Sequence, residues 1–151
     1  MRFATLGSLL TGHPGPSFIA PSASASEAVR QLRENPLQAP VVVRDASPVR
    51  IVCDRHIVES VIAQRRDPDA MTALEVSVPT ESFDRTTTLD VAWSRVKEKS
   101  LPWVAVRDGK RVVALVSRTQ LLEWVVRSQE DEVDCAINAV KRLAFSNRRP
   151  D

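Results

Sequence analysis

The chain has 151 residues, 43% hydrophobic and 26% charged, with 21 Lys and Arg against 19 Asp and Glu. That length fits one ordinary domain or two small units sharing a core, and the composition excludes a disordered or membrane chain. A net charge of +2 is too small to imply nucleic acid, and two cysteines, Cys53 and Cys135, exclude a multi-disulfide scaffold and a four-ligand zinc site. Both thiols read as free and buried, in a reducing compartment. No window approaches the ~20 apolar residues of a membrane span. The apolar run from Phe3 to Leu10 is interrupted by Thr5, Gly7 and Ser8, unlike the core of a signal peptide, so a cytoplasmic protein is expected.

Near the start of the chain, Gly12, Pro14, Gly15 and Pro16 separate a short apolar segment (Leu6, Leu9, Leu10) from the first long element. Ser24 and Glu27 form a capping box before Ala25, Ala28, Val29 and Leu32 at helical spacing, and Asn35-Pro36 ends that helix. Pro40 leads a buried strand, Val41 to Val43, whose hairpin partner is Val49 to Cys53 across a polar turn. Ile57, Val58, Val61 and Ile62 predict a second helix. Residues 63 to 74 read as a linker.

The same order then recurs. Leu89, Ala92, Trp93 and Val96 stand 64 positions after Ala25, Ala28, Val29 and Leu32, and Leu121, Leu122, Val125 and Val126 stand 64 after Ile57, Val58, Val61 and Ile62. Ser82 and Phe83 read as an entering strand, residues 88 to 98 as a helix, and Trp103 to Val106 as a strand after Pro102. Asp108 and Gly109 supply the hairpin turn before Val112 to Ser117. A helix starts near Thr119. A further stripe, Val133, Ala136, Ile137, Val140, Leu143 and Ala144, comes after the acidic Glu130, Asp131, Glu132 and Asp134 and carries Lys141 and Arg142 toward its end, an order that suits the helix dipole. Its apolar face is expected to pack on the core or on a second copy; the mixed charge of its polar face argues against membrane attachment. A duplicated unit builds two similar crevices.

In its β-α-β-β-α order, its repeat length and its Pro-led strand, the chain resembles the tandem CBS domain pair, or Bateman module, as a stand-alone protein. The family's diagnostic stretch runs glycine, two apolar residues, Thr or Ser, two residues, then Asp. Its counterparts here are Arg50-Ile51-Val52-Cys53-Asp54-Arg55-His56 and Ala114-Leu115-Val116-Ser117-Arg118-Thr119-Gln120. The resemblance implies an α/β (α+β) fold of two CBS units packed by pseudo-two-fold symmetry. The first unit with the N-terminal segment and linker takes residues 1–74, the second 75–128, a C-terminal helix 129–145 and a basic tail 146–151. It also implies that crevices between the units bind AMP, ADP or ATP, or in some members S-adenosyl methionine, with no cofactor required. An apolar wall would hold the adenine, a hydroxyl and a cation the phosphates, and a carboxylate the ribose.

This sequence departs from that pattern. In the first unit Cys53 and His56 replace the hydroxyl and the carboxylate. A thiol is a weak donor and a neutral imidazole accepts one hydrogen bond, so Ile19, Pro40, Cys53, Arg55 and His56 mark a degenerate first site. In the second unit Ser117 keeps the hydroxyl, Arg118 is placed for a phosphate and Gln120 replaces the carboxylate without its charge. With Phe83, Pro102 and Trp103 these form the candidate ligand site. Ser117 equally suits an N-cap, and Trp103 equally suits a core or interface position. No nucleophile elbow, Gly-rich phosphate loop or metal-ligand spacing is present, so a regulatory module is expected rather than an enzyme. It is expected to form a homodimer joined through its helices, to act on its own geometry or on a protein partner, and to bind neither nucleic acid nor membrane. The alternative is a degenerate pair retained as a dimerisation and protein-interaction scaffold.

Overall fold

The structure, a computed structural model, describes residues 4–35 and 39–146. Ser24 starts the first long helix as its capping pattern predicts: its hydroxyl accepts from the Glu27 amide at 3.1 Å and closes the N-terminus of α2 (Ala25–Glu34). β1 (Phe18–Ile19) precedes this helix and runs parallel to β2 (Val41–Val43), which pairs antiparallel with β3 (Arg50–Val52). The second half repeats the arrangement. β5 (Ser82–Asp84) runs parallel to β6 (Trp103–Asp108), β6 is antiparallel to β7 (Arg111–Ser117), and α5 (Leu89–Lys99) crosses between β5 and β6. The two hairpins turn at Asp45 and Gly109, 64 positions apart, with φ of 57° and 62°. Glycine takes this left-handed conformation without strain, and Asp is among the few other residues that visit it routinely.

The junctions differ from the sequence expectation. Within the expected linker, α4 (Ala73–Val76) is closed by a reciprocal capping box, Glu75 N to Thr72 Oγ1 at 3.2 Å and Thr72 N to Glu75 Oε2 at 2.9 Å. β4 (Val78–Pro79) then pairs antiparallel with β3, so the first sheet runs β1-β2-β3-β4 and the second β5-β6-β7. Residues as late as Pro79 thus sit in the first sheet, beyond the boundary at 75. At the other end, α1 (Leu6–Leu9), which chain order groups with the first unit, buries Leu6 completely among Leu89, Val96 and Leu121 of the second. The bonds that seat α1 and α4 match. Leu6 N donates to Thr87 O and Leu89 N to Ala4 O, each at 2.9 Å; Ala73 N donates to Ala23 O at 2.7 Å and Ala25 N to Met71 O at 2.8 Å. α1 therefore covers α5 as α4 covers α2.

The side-chain alternation of the strands sorts the core into three layers. Val41 and Val43 join Ile19, Ala28, Val52, Ile57 and Met71 beneath the first-unit helices, while Val104, Val106 and Val116 join Leu6, Leu89, Val96 and Leu121 in the second. Val42, Ile51, Ala105, Val112 and Leu115 point the other way and form the layer between the two sheets, with Phe18, Val78 and Trp103 at its margin. The units meet sheet to sheet.

The helix after β7 and the expected C-terminal helix are one element, α6 (Arg118–Ser146), 29 residues and about 43 Å long. No Gly or Pro interrupts this stretch. Its first-unit counterpart, α3 (Asp54–Ile57), continues as a π-helical turn (Val58–Ile62) and stops before Arg65 at φ 53° and Pro68. From Gln129 to Phe145 every described residue of α6 is exposed, so the second stripe does not pack on the core. Cys135 lies on this exposed stretch and Cys53 is half-buried; both are free thiols, and neither is buried as expected. Phe3 and most of the basic tail, with Arg148 and Arg149, lie outside the described residues.

Candidate functional site

Between the units opens a cleft of about 930 Å³, within the usual range for small-molecule sites. One wall is the approach to β1, from His13 to Phe18, and the adjoining face of α2; the other is the end of β7 and the first turns of α6. Three of the predicted site residues meet here: Trp103, Ser117 and Gln120.

Ser117 ends β7, and its Oγ accepts from the Gln120 amide at 3.1 Å, which makes it the N-cap of α6. Accepting that bond leaves the hydroxyl hydrogen for another partner. Trp103 is half-buried, with one part against the inter-sheet layer and another in the cleft wall, beside Leu115. Gln120 already has a partner: His13 Nε2 lies 3.1 Å from its Oε1, and His13 Nδ1 lies 2.8 Å from Pro14 O. A carbonyl oxygen only accepts, so Nδ1 carries a proton. A neutral His13 then meets Gln120 through the amide NH2, and a protonated one through Oε1.

The remaining candidates do not line the cleft. Phe83 sits in β5 opposite Val106 and packs into the second core, because alternation turns it away from the neighbouring Ser82. Pro102 is structural: its carbonyl accepts from Arg118 N at 2.9 Å and fixes the entry into α6. The Arg118 side chain is exposed outside the lining.

The first-unit residues are engaged elsewhere. Ile19 and Pro40 are buried in the packing. The single lone pair of a neutral His56 accepts from Cys53 N at 3.2 Å across the first turn of α3, and burial pushes the His56 imidazole below its ordinary value. Arg55 Nε donates to Glu59 at 2.8 Å. At the repeat positions of Ser17, Gln31 and Asn35 stand Glu81, Arg95 and Lys99, joined at 3.0 and 3.1 Å. Hydrogen bonds from Arg95 and then Lys99 hold the Glu81 carboxyl below the usual range.

Sequence reasoning missed the α2 wall and Glu123. Arg30, Gln31 and Glu34 face the cleft from α2. Arg30 is forked between Glu27 and Glu34, the latter at 3.0 Å, and the Glu27 bond holds its guanidinium above its ordinary value. Gln31 Oε1 is buried in the wall with no hydrogen-bond partner among the described residues, an acceptor placed for a donor. The available signal was periodicity. Glu123 lies three residues after Gln120 and so shares its helix face, and Arg30, Gln31 and Glu34 form the polar side of the α2 stripe.

Residues 13–63 match the family model of the CBS domain. The first unit is a CBS domain. The chain has the fold of solved CBS-domain structures. It matches a protein with CBS domains from Burkholderia ambifaria MC40-6 at TM-score 0.69 and 19% identity, over 83% of this chain and 96% of that one. The hexameric CBS-CP12 protein from bloom-forming cyanobacteria matches at 0.67 and 18%, over 99% and 87%. A CBS domain protein from Pyrobaculum aerophilum, solved in complex with AMP, matches at 0.64 and 21%, over 82% and 99%. No curated protein matches the chain. The two units differ at the cleft: the second supplies Trp103, Ser117 and Gln120 to its lining, whereas of the corresponding Ala39, Cys53 and His56 only Ala39 lines it, and His56 accepts from Cys53 N.

Proposed function

We propose that this CBS-domain protein is a non-catalytic regulatory module that binds an adenosine ligand in the cleft formed by β1, α2, β7 and α6. The observation that carries this reading is the convergence of Trp103, Ser117 and Gln120 on one cleft. Trp103 and Leu115 offer a flat apolar wall to the base, the Gln31 acceptor suits the exocyclic amino group of adenine, and Gln120 hydrogen-bonds a ribose hydroxyl. The AMP complex of the Pyrobaculum aerophilum neighbour supports the ligand class. The engagement of Cys53 and His56 with each other supports a first site that no longer binds.

Regulation then requires a ligand with different affinities for two arrangements of the module. The arrangement we assign is a homodimer. Val58 and Ile62 are 51% and 65% exposed, and Leu122 and Val126, 64 positions later, are 44% each, so both halves present the same apolar pair. A cytoplasmic location suits two free thiols, and no described helix is long and apolar enough to cross a membrane.

Thermal unfolding of the full chain with AMP, ADP, ATP and S-adenosyl methionine tests the reading. A ligand at 100 times its dissociation constant adds about 2.7 kcal/mol, a shift of several degrees for a chain of this size. A shift with at least one compound that Trp103→Ala abolishes is the expected result, and no shift with any removes the ligand reading. A second reading, a scaffold without ligand, is favoured by the His13–Gln120 bond, which already occupies the side chain at the ribose position. An inert Gln120→Asp variant, with self-association intact, is the outcome that selects it.

A further inference from the structure

We propose that the cleft discriminates against polyphosphate, so that its ligand is an adenine nucleoside whose 5′ substituent is uncharged or cationic. The inference rests on the adenosine reading above and narrows it by charge. Two carboxylates, Glu34 and Glu123, line the cleft, and the one permanently charged cation among the described lining residues is Arg30. That guanidinium is not free for a phosphate. Its fork is divided between Glu27 and Glu34, with the Glu34 contact at 3.0 Å. A triphosphate would have to pull Arg30 away from two carboxylates in order to bind it.

Glu123 makes no ion pair among the described residues and lies one turn beyond Gln120 on the same face of α6. A helix start can hold a phosphate on its free amides, but at the start of α6 the Arg118 amide already donates to Pro102 O and the Gln120 amide to Ser117 Oγ, and Thr119 lies between them. The negative balance that repels phosphates instead favours a sulfonium or ammonium group on the 5′ side.

Calorimetric titration of the full chain with adenosine, S-adenosyl methionine and ATP, the last with and without magnesium, decides the matter. Adenosine and S-adenosyl methionine are expected to bind at least about tenfold more tightly than ATP, with the gap narrowing as salt rises and screens the carboxylates. Glu123→Gln, an exposed position whose exchange leaves the fold intact, is expected to weaken S-adenosyl methionine severalfold and to strengthen ATP. ATP binding as tightly as adenosine, or Glu123→Gln leaving the ratio unchanged, overturns the charge inference and leaves the adenosine reading standing. Absence of binding by all three compounds overturns both.

Discussion

His56 is held by the fold at the start of α3. Its Nδ1 accepts from Cys53 N, and burial favours the neutral ring. The pKa is therefore lower in the folded chain than in the unfolded one, where it is near 6.5. Stability present above that unfolded value is lost as pH falls through it toward the folded value, because the unfolded chain takes up the proton first. The melting temperature is expected to fall between about pH 7.5 and about 5.5, and His56→Gln, which still offers Cys53 N an acceptor, is expected to flatten the curve. An unchanged slope in the variant would place the acid sensitivity elsewhere. His13 differs, since its ring bridges Pro14 O and the Gln120 side chain at the cleft rim rather than closing a helix start. No sequence pattern links residues 13 and 120, and that contact became visible only when the chain folded.

Among the elements, the short helices α1 and α4 carry more than their length suggests. Each has a Thr N-cap; α1 lays Leu6 against α5 of the second unit, and α4 lays Ala73 and Val76 against α2 of the first. Leu6 is fully buried, so Leu6→Ala is expected to cost about 2–5 kcal/mol, as core truncations do. The measurement is denaturant unfolding, and hydrogen exchange should show α5 opening ahead of α2. A loss below about 1 kcal/mol would mean that α1 merely lies on the surface. α2, α5 and the hairpins were legible in the sequence because caps, periodicity and a left-handed turn residue are local signals, whereas the continuity of α6 was not. α4 was misread as linker although Thr72-x-x-Glu75 had the capping pattern, and the partner of α1 was illegible because it is set by packing more than 80 positions away. The cleft was half legible. Ser117 and Gln120 could be read from the strand-to-helix junction, whereas the α2 wall depends on how the two sheets stack.

At the scale of the molecule, two sheets share one apolar layer and a single helix projects from the pair. The stripe Val133, Ala136, Ile137 and Val140 is exposed along its length, and acidic residues 130–134 precede the basic Lys141 and Arg142. Under the dimer reading, antiparallel pairing of two such helices sets acid against base, whereas parallel pairing sets acid against acid. The double substitution Val133→Glu with Ile137→Glu is expected to lower the mass seen by sedimentation equilibrium while leaving the melting temperature of the body unchanged at low concentration. Persistence of the full assembly would leave the interface to the Val58–Ile62 and Leu122–Val126 faces alone. The seat of α1 has a consequence for synthesis. Leu6 is made more than a hundred residues before Leu121 and Trp124, which are part of its site. The first unit can close on α4 while the chain is still growing. α1 must stay unplaced until Leu121 and Trp124 have been translated, so the second unit closes around a segment made long before it.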